Sequence, residues 1–218
     1  MALPSGYVKL EYIKSTGTQY IDTGFKPTFA THVKMDCTPF SQTDANACLF
    51  GSRRTSSPTG SDIFCAWTLS TGATVRSDYF GTNVTGSTSI TNKRVVIDKN
   101  RNVYSDGYNN LTNGAKTSGS SSYPLYLFCC NDVGNAKYYK AIRLYYCLVY
   151  NDDILVRNFI PCKNASGIIG LWDDVGQVFY KNKGSGTFIA GPVVNLGGIF
   201  VKVNGVWKQI DNVTVNVR

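Results

Sequence analysis

The chain has 218 residues, 43% of them hydrophobic, enough for a full core, and an all-β sandwich commonly uses about 200 residues as one domain. Its net charge of +8 comes as short pairs such as Arg53-Arg54, Lys93-Arg94 and Lys181/Lys183, without an RNA-recognition, zinc-finger or helix-turn-helix pattern, which argues against nucleic acid. No run of about 18 apolar residues exists to insert in a membrane, and MALPSGYVK lacks the apolar core of a signal peptide, so synthesis and assembly in a cytoplasm are expected.

From Tyr7 to Gly24 the chain reads YVKLEYIKSTGTQYIDTG. Val8, Leu10 and Tyr12 alternate with Lys9 and Glu11, and Tyr20–Thr23 resumes extended character after Ser15-Thr16-Gly17-Thr18, so the pattern predicts an opening β-hairpin. Strand-like stretches follow at Thr31–Cys37, Cys48–Gly51, Ile63–Trp67 and Thr74–Arg76. Lys93–Asp98 and Asn102–Ser105 flank a Lys99-Asn100-Arg101 turn and predict a second hairpin. Leu111–Ser122, rich in Gly, Ser, Thr and Asn, reads as a surface loop. The strongest apolar runs, Tyr123–Cys130 and Ala141–Tyr150, predict central strands covered on both sides.

Leu155–Cys162, Gly167–Asp173, Gln177–Tyr180 and Gly186–Gly191 are short and end at turn-forming residues. No segment holds a helical period over three turns. The expected architecture is therefore all-β, a two-sheet antiparallel sandwich over residues 1–191, a linker at 192–198, and a small C-terminal β-hairpin appendage at 199–218 turning at Asn204-Gly205. A lone hairpin cannot bury its own apolar side chains, so Phe200, Val206 and Trp207 are expected to attach it to a neighbour.

Cys37, Cys48, Cys65, Cys129, Cys130, Cys147 and Cys162 form no CxxC pair, and His32 is the one histidine that could assist a metal. No metal or other cofactor is expected; the default is buried, reduced thiols acting as small hydrophobes.

YVKLEYIKSTGTQYIDTG, together with LYYCLVYNDDILVRNFIPCKNASGIIGLWDDVGQVFYKNKGSGTFIAG, resembles the concanavalin A-like (laminin-G-like) jelly-roll domains of bacteriophage virion and gut-bacterial surface proteins. The resemblance covers about residues 5–191 and implies that the first and last strands pair within one jelly roll. IFVKVNGVWKQ resembles a short C-terminal element of phage tail and virion proteins.

Such folds include glycoside hydrolases, carbohydrate binders and structural modules, so the residues must decide. Hydrolases of this class need clustered carboxylates, one to protonate the leaving oxygen and another to attack or activate water. Glu11 is the one glutamate here, and the neighbouring pairs Asp152-Asp153 and Asp173-Asp174 suit turn capping. His32 has no nucleophile motif beside it. No catalytic residues are assigned. For sugar binding, Trp67, Tyr79 and Trp172 offer stacking rings and Asn131 and Asp132 planar polar partners, although both tryptophans sit in apolar runs that suit a core. Asp132 with Asn131 and Asn135 has oxygens of the kind calcium takes, in no recognisable spacing.

These readings, with the resemblance, lead to the expectation of a non-enzymatic virion protein, a capsid decoration or accessory tail component assembled in a bacterial host cytoplasm. Its expected partners are other virion proteins and cell-surface glycans, with homo-oligomerisation open. The alternative is an independent carbohydrate-binding or glycan-active protein of a gut bacterium.

Overall fold

The computed structural model describes residues 3–41, 46–54, 63–69, 74–194, 199–203 and 205–210. The described residues form strands and turns and no helix, and the two main sheets pack face to face as a sandwich.

The larger sheet runs in the order Asn110–Thr112, Val103–Ser105, Val95–Asn100, Thr31–Pro39, Ile142–Asn151, Ile154–Lys163, Ile169–Asp173, Val178–Lys181. Its centre is the hairpin Ile142–Asn151/Ile154–Lys163, whose turn residues Asp152 and Asp153 have φ of 53° and 63°. Two consecutive positive φ values match the twist of a two-residue hairpin loop, a turn that Asp tolerates well. The two strands pair only as far as Cys147↔Phe159. Beyond that point the N-terminal segment takes over the freed backbone: Val8–Lys9 pairs with 162–163, and Ile13–Lys14 pairs with 143–144 on one side and Ile189–Ala190 on the other.

The smaller sheet runs Asn135–Lys137, Cys130–Asp132, Asn46–Arg53, Phe64–Leu69, Val75–Tyr79, Thr82–Thr85, with Tyr126–Leu127 joining Asn46–Arg53 to Ile21–Asp22. Its ladders are antiparallel except Cys130–Asp132 on Asn46–Arg53, which is parallel.

Three sequence expectations change. The Tyr7–Gly24 segment is not a hairpin: its first half belongs to the larger sheet and Ile21–Asp22 to the smaller, so the segment laces the two together. The pattern of alternation was right, but it carries no information about which strand is the partner. Tyr123–Cys130 is not one strand either, because Phe128 adopts φ 73° to bury its ring against Phe188, 4.9 Å away, and this breaks the run into Tyr126–Leu127 and Cys130–Asp132. The sandwich also continues past residue 191: Glu11 N–H donates to the Pro192 carbonyl, Leu10 bridges to Val193, and Val194 N–H donates to the Lys9 carbonyl. The N-terminal segment meets Ile189–Ala190 through its second strand, at Ile13↔Ala190, whereas the first, Val8–Lys9, pairs with Ile154–Lys163. The second expected hairpin is present as Val95–Asn100 and Val103–Ser105, turning at Arg101.

Ile199–Val203 and Val206–Ile210 form a separate two-stranded hairpin through Gly205, with Phe200 opposite Gln209 and Trp207 opposite Lys202. The side chains of Phe200, Val206 and Trp207 lie outside the described residues.

The core between the sheets is a continuous cluster that includes Leu10, Ile13, Ile21, Met35, Phe50, Phe64, Leu144 and Phe159. Lys99 is fully buried within it. Its ammonium donates to Ser77 Oγ (2.7 Å) and sits 4.7 Å from the Phe64 ring centroid, while Ser77 Oγ donates onward to Asn113 Oδ1. Burial lowers the Lys99 ammonium to about 8, partly opposed by Asp78 and Cys65. The unfolded chain therefore holds a proton that the fold gives up between about pH 8 and pH 10.5, and Lys99 costs less stability as pH rises through that window. Lys99→Met is expected to stabilise by roughly 1–3 kcal/mol near pH 6 and to lose that advantage by pH 10.5. Urea unfolding of both proteins at the two pH values measures this; a pH-independent difference would refute it.

Candidate functional site

Asn46–Arg53 is buried on both faces, and a β-bulge makes this possible. The register with Phe64–Leu69 slips between Cys48↔Trp67 and Phe50↔Ala66, so the consecutive Leu49 and Phe50 both enter the main core. Cys48 and Gly51 are thereby left on the opposite face. That face carries a second apolar cluster of Cys48, Ile63, Cys65, Trp67 and Cys130.

Register arranges this face in rows. Asp78, Cys65, Gly51, Cys130 and Lys137 stand opposite one another on five successive strands. Around them, Arg53 Nε donates to Asp132 Oδ1 (2.8 Å), Lys137 Nζ contacts Asp132 Oδ2 (2.9 Å), and the Arg53 guanidinium lies 4.7 Å from the Tyr138 ring centroid and 5.6 Å from that of Trp67. On the other flank Trp67 Nε1 donates to Asp78 Oδ2 (2.6 Å), and Arg76 Nε pairs with Asp78 Oδ1 (2.9 Å). Burial alone would raise Asp132, but hydrogen bonds from Arg53 and Lys137 hold it below the usual carboxylate range. Asp78 moves the other way: burial, with Cys65 nearby, pushes it up to about 7 against the pull of Arg76 and Trp67.

The five residues expected to bind sugar do not make one site. Trp67 and Asp132 share the closed cluster just described. Asn131 is fully buried, its amide donating to the Pro124 carbonyl and its oxygen accepting from Gly134 N–H. Tyr79 is 1% exposed in the main core, with its hydroxyl donating to the Phe29 carbonyl. Trp172 belongs to the larger sheet and packs edge-on against Tyr7 at 5.5 Å. Stacking on a sugar needs an open ring face, and none of the three rings has one. Calcium is equally poorly served, since both Asp132 oxygens already face cations.

An open cleft lies elsewhere. Val178–Lys181 is the last strand of the larger sheet and Ile21–Asp22 the last of the smaller, and at this shared edge Asp22, Gly24, Val178, Phe179, Tyr180, Lys181 and Lys183 line a cleft of 380 Å³. Gly24 N–H donates to Asp22 Oδ1 (2.9 Å) and fixes the turn. Lys183 N–H donates to the Tyr20 carbonyl, and Tyr20 N–H to Asn182 Oδ1, which closes the end of the cleft. The Phe179 ring packs on Gly170, where any β-carbon would collide with it. Edge strands present unpaired backbone N–H and C=O groups, so the cleft combines ring, charge and backbone partners. Among the described residues lining it, Asp22 is the one acid. In the sequence Gln177–Tyr180 read simply as a strand, and nothing there indicated that Asp22 would sit across from it.

Three of the acids in the neighbouring pairs are tied to structure: Asp152 and Asp153 face Arg101, and buried Asp173 accepts from Asn158 N–H. His32 stacks on Tyr150 at 5.0 Å with Nε2 2.9 Å from Asp98.

Because the folded-state carboxyl of Asp78 is raised, its contribution to stability is lost as pH rises from about 4 through about 7. Asp78→Asn should therefore become more favourable relative to the parent by roughly 2–4 kcal/mol between pH 4 and pH 8. Paired denaturant titrations check this, and a constant difference would place the titration elsewhere. As to kinship, no family model matches the chain and no curated protein matches it.

Proposed function

We propose that the chain is a non-enzymatic structural and adhesion protein of a bacteriophage virion, a capsid decoration or accessory tail component, whose sandwich holds an acidic glycan in the cleft at Asp22, Gly24 and 178–183. The observation that carries the binding half is the cleft itself. Its 380 Å³ falls in the range of about 300–1,000 Å³ usual for small-ligand sites. Phe179 and Tyr180, half-buried with their rings packed edge-on at Tyr7 and Phe159, lend apolar edges rather than open ring faces, and exposed Lys181 and Lys183 favour a carboxylated or sulfated sugar. The net charge of +8 would help gather such polymers at the surface. The single carboxylate in the cleft supports binding over hydrolysis, because glycoside cleavage ordinarily uses two.

The virion assignment rests on the resemblance of the two terminal blocks to phage and gut-bacterial jelly rolls. The separate C-terminal hairpin supports it, since a two-stranded element gains stability by packing on something else. On this reading Phe200, Val206 and Trp207 attach the chain to other virion proteins and the cleft faces outward.

Two experiments test the halves separately. A glycan array should show binding concentrated on acidic glycans, with Lys181→Ser/Lys183→Ser weakening it at least tenfold and Phe179→Ala doing the same, while thermal unfolding shows that the variants stay folded. Binding unchanged by both would move the ligand away from the cleft, and release of reducing sugar would favour the glycan-active alternative. Deleting residues 199–218 should abolish incorporation into particles while leaving the sandwich folded; normal incorporation would sink the attachment role.

A further inference from the structure

Three thiols from three separate strands converge on the face of the smaller sheet turned away from the main core. Cys48, Cys65 and Cys130 are fully buried, and their Sγ atoms all lie within 4.8 Å of one another, with Cys65 and Cys130 at 3.7 Å. Gly51 makes the room. A β-carbon there would stand 2.5 Å from Cys65 Sγ and 2.8 Å from Cys48 Sγ, so any larger residue would have to push these thiols aside. The bulge at Leu49 supplies the third thiol by keeping Cys48 on the same face as Gly51.

The closest pair of these thiols is not a disulfide in waiting. Cys65 and Cys130 pair with Gly51 from opposite sides, which puts their backbones two strand spacings apart, about 9.6 Å, where a disulfide needs less than about 7 Å. A metal ion bound to sulfur at about 2.3 Å holds its thiolates about 3.8–4.0 Å apart, close to the separation seen.

We propose that Cys48, Cys65 and Cys130 form a buried three-coordinate site for a soft, thiophilic metal ion, Cu(I) in particular. Three-sulfur coordination with no fourth ligand favours this class over zinc, whose structural sites are closed by four ligands. Among the described residues no other His, Cys, Asp or Glu joins the three, and every cysteine and the one histidine of the chain are described. A cation is also in place to offset thiolate charge: Arg53 lies beside the cluster, and its buried Nη2 has no hydrogen-bond partner. On binding, three S–H bonds are lost, three metal–sulfur bonds form, and three protons pass to solvent, with no change in oxidation state.

Anaerobic refolding of the full chain with Cu(I), followed by gel filtration and metal analysis, tests the site; refolding gives the ion access before the thiols are buried. The expected result is one ion per chain, a higher Tm for the loaded protein, and more than about a hundredfold weaker retention in Cys65→Ala and in Cys130→Ala. Cys162→Ala, which alters a buried thiol on the other sheet, should retain the ion as the parent does. If a cluster variant does not fold, the metal content and Tm shift of the parent chain decide alone. No retained ion in the parent, or equal retention in the folded Cys65→Ala protein, overturns the proposal.

Discussion

Asn46–Arg53 has to be buried on both faces, and much of the rest of the smaller sheet follows from how it manages this. A regular strand alternates, so one register satisfies one face at a time. The bulge at Leu49 gives the main core two consecutive large side chains, Leu49 and Phe50, and still returns Gly51 and Arg53 to the far face. Gly51 then admits the thiols of Cys65 from the neighbouring strand and of Cys48 from its own, and Arg53 organises Asp132, Trp67 and Tyr138 around its guanidinium. Such a face resembles a small second core with charged walls. Its ion pairs are matched rather than isolated, as buried charges must be if their desolvation is to be offset.

The larger sheet solves a different problem. Its central hairpin splays beyond Cys147↔Phe159, which would leave backbone N–H and C=O groups unpaired inside the fold. The N-terminal segment fills the gap with two short stretches and then crosses to the smaller sheet at Ile21–Asp22. The same crossing positions Asp22 against Val178–Lys181 and so creates the cleft. Closure of the sandwich and formation of its open pocket are consequences of one path of the chain.

Much of the fold was legible in advance. Alternation and apolar runs located the longer strands, although Thr82–Thr85 and Asn135–Lys137 went unmarked and Asn110–Thr112 overlaps a stretch that reads as a surface loop; the Asp152-Asp153 and Arg101 turns fall where polar turn residues interrupt apolar runs, and the lack of any helical period agrees with the described residues, which form no helix. The candidate site was far less legible. Trp67 and Asp132 look like sugar ligands in the sequence and instead stack and pair within a closed face, because an aromatic in an apolar strand looks the same in sequence whichever face it takes. The thiols were read as independent buried groups because ligand motifs are recognised by close spacing, and these three are 17 and 65 residues apart, measured from Cys65 to Cys48 and from Cys65 to Cys130.

Local preference and inventory alone fix an all-β chain, several of its turns, and the poverty of carboxylates. Strand partners, register and bulges depend instead on packing between distant segments. Those choices optimise burial over the whole sandwich at once, and a single slip of one residue exchanges the two faces of a strand. For that reason Tyr7–Gly24 became a lace between sheets, Asp22 met Lys181, and Cys48, Cys65 and Cys130 met over Gly51.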